Sequence, residues 1–208
     1  CILCDFDGTI TEKDGLYNFF VKYAADGWRE IEYLWTDGKI TSRECLQREF
    51  ESVTDLSENL VLEYIKTVKL DIYFKDFYNL LLKKNIDFFI VSDGVDYFIN
   101  AILSYNNIKN IKFFSNHFEF VDKKFALSFP NSNTKCKIGA GTCKCGIINK
   151  MKEKYKKIIY IGDGISDFCA VHQADKVFAK GKLINYCKSK NINCTPFENF
   201  KDLELNLE

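Results

Sequence analysis

The chain has 208 residues, 47% of them hydrophobic and 15% aromatic, enough for one substantial core and short for two. Its 29 Lys and Arg balance 29 Asp and Glu, so no net field draws it to nucleic acid or to an anionic membrane; an anion-binding site must be local. No stretch approaches a membrane span or reads as a signal peptide, and nine scattered cysteines fit reduced thiols, so the expected compartment is the cytoplasm.

Ile2-Leu3-Cys4 is too short for an amphipathic helix and reads as a buried strand running into Asp5-Phe6-Asp7-Gly8-Thr9. From Gly15 to about Lys69 the spacing turns helical, with Leu16, Phe19, Phe20 and Tyr23 on one face and Leu60, Tyr64, Ile65 and Val68 on another. Thr41 or Ser42 is placed to cap a helix through Phe50, and Ser52 or Asp55 another through Lys69. A helix over Asp76 to Lys84 precedes a second buried strand, Ile86 to Val91, which ends in Ser92-Asp93-Gly94. A helix from Val95 to Tyr105 follows, then a hairpin over 111–129 turning at Asp122-Lys123-Lys124, and a polar loop over 130–143. Next come a helix from Lys144 to Tyr155 and a third buried strand, Ile158 to Ile161, ending in Gly162-Asp163-Gly164. The remainder repeats helix, short strand (Val177-Phe178-Ala179) and helix.

Strands alternating with helices predict an α/β fold: an open, mostly parallel, Rossmann-like sheet flanked by helices, with a small inserted helical cap. The predicted core comprises 1–14 and 71–208, and the cap 15–70. Ligands of such sheets gather beyond the carboxyl ends of the strands, and three predicted strand ends here carry acidic or hydroxyl-bearing tails.

Carboxylates crowded at one edge repel each other unless a cation sits among them. A hard divalent ion such as Mg²⁺, which takes oxygen ligands and substrate phosphate, answers that need, with Asp5 and Asp163 as its side-chain ligands. Asp5 is then placed to attack phosphorus and Asp7 to protonate the leaving oxygen and activate water. Phosphate-binding donors are expected from the Thr9 and Ser92 hydroxyls, the backbone around Gly8 and over Asp93-Gly94, and a lysine. Lys144, at a predicted helix start, suits that role better than Lys150, which belongs to a basic run read as a solvated helix face. Asp14 reads equally as a helix cap or a substrate contact. Cys136, Cys143 and Cys145 lack paired CxxC spacing and read as a thiol-bearing loop rather than a zinc site.

In their order along the chain, Asp5-Phe6-Asp7-Gly8-Thr9, Ser92, Lys144 and Gly162-Asp163-Gly164-Ile165-Ser166-Asp167 resemble the four motifs of the haloacid dehalogenase superfamily of phosphohydrolases. The resemblance implies Asp5 as nucleophile, Asp7 as acid and base, and Mg²⁺ on Asp5, the Asp7 carbonyl and Asp163, with Asp167 as a supporting acid near the metal. It also implies a small phosphorylated substrate, with no nucleic acid or membrane partner.

Within that superfamily the chain is similar to the phosphoserine phosphatase group, and more closely to the methionine-salvage phosphatases acting on 2-hydroxy-3-keto-5-methylthiopentenyl 1-phosphate. The closer likeness rests on Cys4 to Thr11 with Asp14, on Asn116-His117, and on the Cys-bearing loop into Lys144. Two positions depart from phosphoserine phosphatases: Asp14 stands where they usually have Glu, and Gln47 near where they have Arg. One departs from the salvage enzymes, Asp93 standing where they have Gly. A phosphotransferase or mutase would use the same intermediate, and a phospho-accepting switch is the non-enzymatic alternative.

Overall fold

The computed structural model describes residues 1–122, 124–136 and 138–204; Lys123 of the predicted hairpin turn and 205–208 of the predicted core lie outside the described residues. Strand β1 (Ile2–Cys4) is followed by four inserted helices, α1 (Gly15–Tyr23), α2 (Trp28–Thr36), α3 (Ser42–Glu51) and α4 (Glu58–Ile65). Then come α5 (Phe74–Lys83), β2 (Phe88–Val95), α6 (Asp96–Tyr105) and the hairpin β3 (Lys112–Val121) with β4 (Lys124–Ser128). The chain closes with α7 (Lys144–Met151), β5 (Ile159–Gly162), β6 (Lys176–Ala179), α8 (Gly181–Ser189), β7 (Thr195–Pro196) and α9 (Phe200–Glu204).

The seven strands form one open sheet in the order β4-β3-β2-β1-β5-β6-β7. Neighbours are parallel except β3 and β4, which pair antiparallel at the edge. Parallel strands need both faces covered, and the period-2 alternation of side chains divides the apolar residues accordingly. Ile2, Cys4, Phe88 and Ile90 pack on one face with α5, α6, α9 and the inserted helices. Leu3, Phe89, Val91 and Tyr160 pack on the other with α7 and α8.

Several boundaries differ from the sequence reading, each for a local reason. Strand β2 starts at Phe88 and runs on through Ser92-Asp93-Gly94, because pairing with β3 resumes at Val95 opposite Asn116 after a register shift. Helix α4 starts only at Glu58, since Ser57, not Ser52 or Asp55, accepts the amide of Leu60. Helix α7 ends at Met151, four residues short of Tyr155. The expected helix after Gly162-Asp163-Gly164 is instead two short 3₁₀ turns, Ile165–Asp167 and Ala170–His172, the first closed when Asp167 Oδ2 accepts the amides of Asp163 and Gly164. Strand β7 and helix α9 have no counterpart in the reading; Phe200 packs on Phe74 and Phe77 at 5.0 and 5.1 Å between ring centroids.

The inserted helices meet the rest of the chain through aromatic rings. Phe50 of α3 lies 5.1 Å from Phe20, 4.8 Å from Phe118 and 5.6 Å from Phe125 between centroids. Phe19 of α1 lies 5.1 Å from Phe98 of α6. Phe50 is fully buried, so truncation leaves a ring-sized cavity where the insertion meets the hairpin. Phe50→Ala is expected to cost about 3–5 kcal/mol in urea denaturation, a loss that an exposed position such as Tyr33 would not show.

Candidate active site

Strand β1 lies between β2 and β5, with Cys4 opposite both Ile90 and Ile161. That pairing brings the three polar tails together at the carboxyl edge, and the Asp5 amide donates to the Ile161 carbonyl at 2.9 Å. The arrangement opens onto a cleft of about 540 Å³. Its lining includes Asp5, Asp7, Ser92, Asp93, Gly94 and Asp163 from the sheet edge, Asp14 just before α1, and Glu32, Cys45, Leu46 and Glu49 from the inserted helices.

Behind the cleft lies Lys144, 1% exposed at the start of α7. Its Nζ lies 2.7 Å from Asp5 Oδ1, 2.6 Å from Asp167 Oδ1 and 2.9 Å from Ser166 Oγ. Burial alone would lower its pKa; Asp167 and Asp5 more than offset this and raise it. Asp167 is fully buried and saturated, accepting also from the Tyr160 hydroxyl at 2.6 Å and from the amides of Asp163 and Gly164. At Gly162 a Cβ would lie 2.5 Å from Asp167 Oδ2, so the close approach requires glycine.

Asp5 is 5% exposed, with Oδ1 accepting from the Phe6 amide at 2.8 Å as well as from Lys144. Burial pushes its carboxyl well up and Asp167 pushes it further, against the pull of Lys144. Asp163 is raised to about 6 by burial and by Asp167, against the Thr9 hydroxyl that donates to its Oδ1 at 2.7 Å. Asp7 points the other way. Its Oδ1 accepts the amides of Gly15 at 2.9 Å and Leu16 at 3.4 Å, in the first turn of α1. Burial and the nearby Asp14 nevertheless raise it to about 7. Across the cleft Gly94 closes in, where a Cβ would lie 2.9 Å from Asp7 Oδ2, and its amide donates to Ser92 Oγ at 2.9 Å.

One carboxylate oxygen from each of Asp5, Asp163 and Asp167 lies within 4.8 Å of the others. Three carboxyls crowd this edge around the buried Lys144, with Lys180 also acting on Asp163; burial and mutual repulsion push Asp5 and Asp163 up, and the all-oxygen donor set suits a divalent cation that would relieve them.

The other expected residues take varied positions. Thr9 is fully buried and turned to Asp163, while Gly8, at φ +71°, packs its backbone onto the same carboxylate. Asp14 caps α1 by accepting from the Tyr17 amide at 2.8 Å, and it also lines the cleft. Asp93 is engaged by Ser42, Thr142 and Asn116. Lys150 is exposed, toward the end of α7. Cys143 and Cys145 lie 3.5 Å apart at sulfur, but the metal-sized cluster among the described residues is the carboxylate one. Sequence reasoning missed Tyr160, whose only signal is a phenol inside an apolar strand, and Glu49, a charge on the inner face of α3.

A parallel sheet with acids at the ends of adjacent strands and a lysine locked between them is the arrangement the sequence led us to expect of a phosphohydrolase. A family described as Putative Phosphatase matches residues 1–193, and the chain belongs to it. It is 31% identical, over all of its length and 95% of the relative's, to a 2-hydroxy-3-keto-5-methylthiopentenyl-1-phosphate phosphatase of Bacillus cereus. A Bacillus thuringiensis protein of the same name is 30% identical over the same shares. Among solved structures, a phosphoserine phosphohydrolase-like protein from Francisella tularensis superposes with a TM-score of 0.73 at 24% identity, covering 100% of this chain and 99% of that one. A substrate-bound phosphoserine phosphatase gives 0.74 at 18% identity, covering 100% and 97%. The chain is a phosphoric monoester hydrolase of the haloacid dehalogenase type.

Lys144→Met leaves Asp5 and Asp167 buried without their cation and is expected to cost about 3–5 kcal/mol in urea denaturation. Glu49 generates a pH prediction. It is 7% exposed, and burial with repulsion from Glu32 raises it to about 8. The folded state then holds a proton that the unfolded chain loses near pH 4.3, so this group removes stability as pH rises from about 4.3 to about 8. Glu49→Gln should be close to neutral at pH 5 and stabilising at pH 9 in parallel urea titrations.

Proposed function

We propose that the chain is a Mg²⁺-dependent phosphatase of a small phosphorylated metabolite that works through a phosphoryl-aspartate on Asp5. The convergence of Asp5, Asp163, Asp167 and Lys144 at one sheet edge carries this reading. Asp5 Oδ1 is occupied by Phe6 and Lys144, whereas no donor among the described residues engages Oδ2, the oxygen assigned to attack. As Oδ2 bonds to phosphorus, the bond to the leaving oxygen breaks and Asp7 gives that oxygen its proton. Asp7 then takes a proton from water, whose oxygen attacks phosphorus, and the Asp5–phosphorus bond breaks to release phosphate. Asp7 is suited to this by its position: the first turn of α1 holds Oδ1, and Oδ2 faces the close-packed Gly94, which has no side chain to block it. Mg²⁺, held by Asp5, the Asp7 carbonyl and Asp163 with Asp167 in support, would neutralise phosphate charge. Ser92 is assigned to the phosphate, since the Gly8 and Gly94 amides already donate to Thr11 Oγ1 at 3.0 Å and to Ser92 Oγ at 2.9 Å, and residues 15–70 act as a cap that screens it from water.

The salvage enol phosphate is the favoured substrate on two grounds: the full-length likeness to phosphatases named for it, and the cleft wall. A phosphoserine carboxylate would face Asp14 and Glu32, with Glu49 holding its proton up to about pH 8 and Lys182 the one cation among the lining residues. Gln47 binds Glu51 at 2.7 Å and Arg48 pairs with Glu44, so neither supplies a carboxylate receptor.

Phosphate release from a panel containing the enol phosphate, phosphoserine and p-nitrophenyl phosphate tests the reading. Asp5→Asn is expected to abolish turnover while leaving the circular dichroism spectrum unchanged, and Asp7→Asn to slow it about 10²–10⁴-fold. EDTA should stop the reaction and Mg²⁺ restore it. Wild-type turnover by Asp5→Asn would overturn the covalent route, and preference for phosphoserine would overturn the substrate assignment.

A further inference from the structure

Helix α3 presents Cys45, Leu46 and Glu49 to the cleft, and unlike forces hold its two ends. Its C-terminal end is anchored by Phe50, buried among Phe20, Phe118 and Phe125. At its N-terminal end Ser42 Oγ donates to Asp93 Oδ2 at 2.5 Å. Asp93 is itself pinned to the core. Its Oδ1 accepts from the Thr142 amide at 2.8 Å and from Asn116 Nδ2 at 3.2 Å, and its carbonyl accepts from the same Asn116 nitrogen at 2.6 Å. Asn116 is fixed in turn, Oδ1 taking the Thr142 hydroxyl at 3.2 Å and lying where a Cβ at Gly141 would come within 2.3 Å. The same loop comes close to Thr41, the residue that caps α3, since a Cβ at Gly139 would lie 2.6 Å from Thr41 Cγ2.

One oxygen of Asp93 thus belongs to the core and the other to the inserted helix. Ring packing at Phe50 is non-directional and tolerates a pivot, whereas a hydrogen bond to a carboxylate has a defined geometry. We propose that Asp93 is a positioning residue that latches α3 across the cleft through Ser42 and so sets how tightly the leaving-group part of the substrate is held. The latch rests on the phosphatase reading only for what it binds. Cys45, Leu46 and Glu49 lie within two turns of Ser42, so release of the latch moves the cleft wall while the ends of β1 and β5 stay in place.

The test is Ser42→Ala, Asp93→Gly and the double variant, read by steady-state kinetics on the preferred panel substrate and by amide hydrogen exchange of α3. Ser42→Ala is expected to raise KM about tenfold with kcat within about twofold, the size of a lost hydrogen bond to a charged group that acts on binding rather than chemistry. Exchange at Cys45 and Leu46 should quicken, and Ser42→Thr, which keeps the hydroxyl, should restore both. Adding Ser42→Ala to Asp93→Gly should raise KM and exchange no further, because one bond is removed twice. Additive effects, or unchanged KM and exchange in Ser42→Ala, would overturn the latch. If the wild type released no phosphate from any compound, the phosphatase reading would fail, while the exchange arm would still decide whether Asp93 holds α3.

Discussion

The structure depends on a lysine that has been taken out of water. Lys144 is 1% exposed and reaches Asp5 and Asp167 at once. A buried ammonium is tolerable only when its partners are close and its donors filled, so the end of β1, the start of α7 and the turn after β5 must arrive together. The turn after β5 obeys that demand: Asp167 accepts from Lys144, Tyr160 and two backbone amides, and the chain coils into a 3₁₀ turn where helix was expected. The pairing also leaves charge over. Asp5, Asp163 and Asp167 lie together there, and burial with mutual repulsion pushes Asp5 and Asp163 up, the mark of an edge still short of cation.

The two neighbouring acids of the first loop are separated by what surrounds them. Asp5 faces Lys144 in the interior, and Asp7 faces the amides that open α1. Burial raises both: Asp5 well up, with Asp167 adding to it against the pull of Lys144, and Asp7 to about 7, with Asp14 adding to it against the α1 amides. The inserted helices thereby serve the core twice, through the α1 amides at Asp7 and through the walls of the cleft. Those walls carry Asp14 and Glu32 beside a Glu49 that holds its proton up to about pH 8.

Much of this could be read from particular residues. Leu3, Phe89 and Tyr160 lie in apolar runs too short for helices, and the acids that follow them stand where a parallel sheet gathers ligands. Lys144 was separable from Lys150 because a helix start and a helix end differ in field. Strand β7 escaped because two residues show no period, and α9 because its buried Phe200 and Leu203 answer to Phe74 and Phe77, far away in sequence. The 3₁₀ turn escaped because helix propensity is local, whereas Tyr160 and Lys144 hold Asp167 from outside its own segment.

Sequence by itself determined the strand–helix alternation, the carboxyl-edge location of Asp5, Asp7, Ser92 and Asp163, and the insertion between the first two strands. Those properties follow from periodicity and from the order of residues along the chain. Only the tertiary structure decided that Thr9 turns to Asp163, that Asp93 bonds Ser42, Thr142 and Asn116, and that Glu49 sits beside Glu32 in the cleft. Each of these is a contact between distant segments, and a side chain's partner there is set by which donors the fold delivers to it, a quantity that no local pattern records.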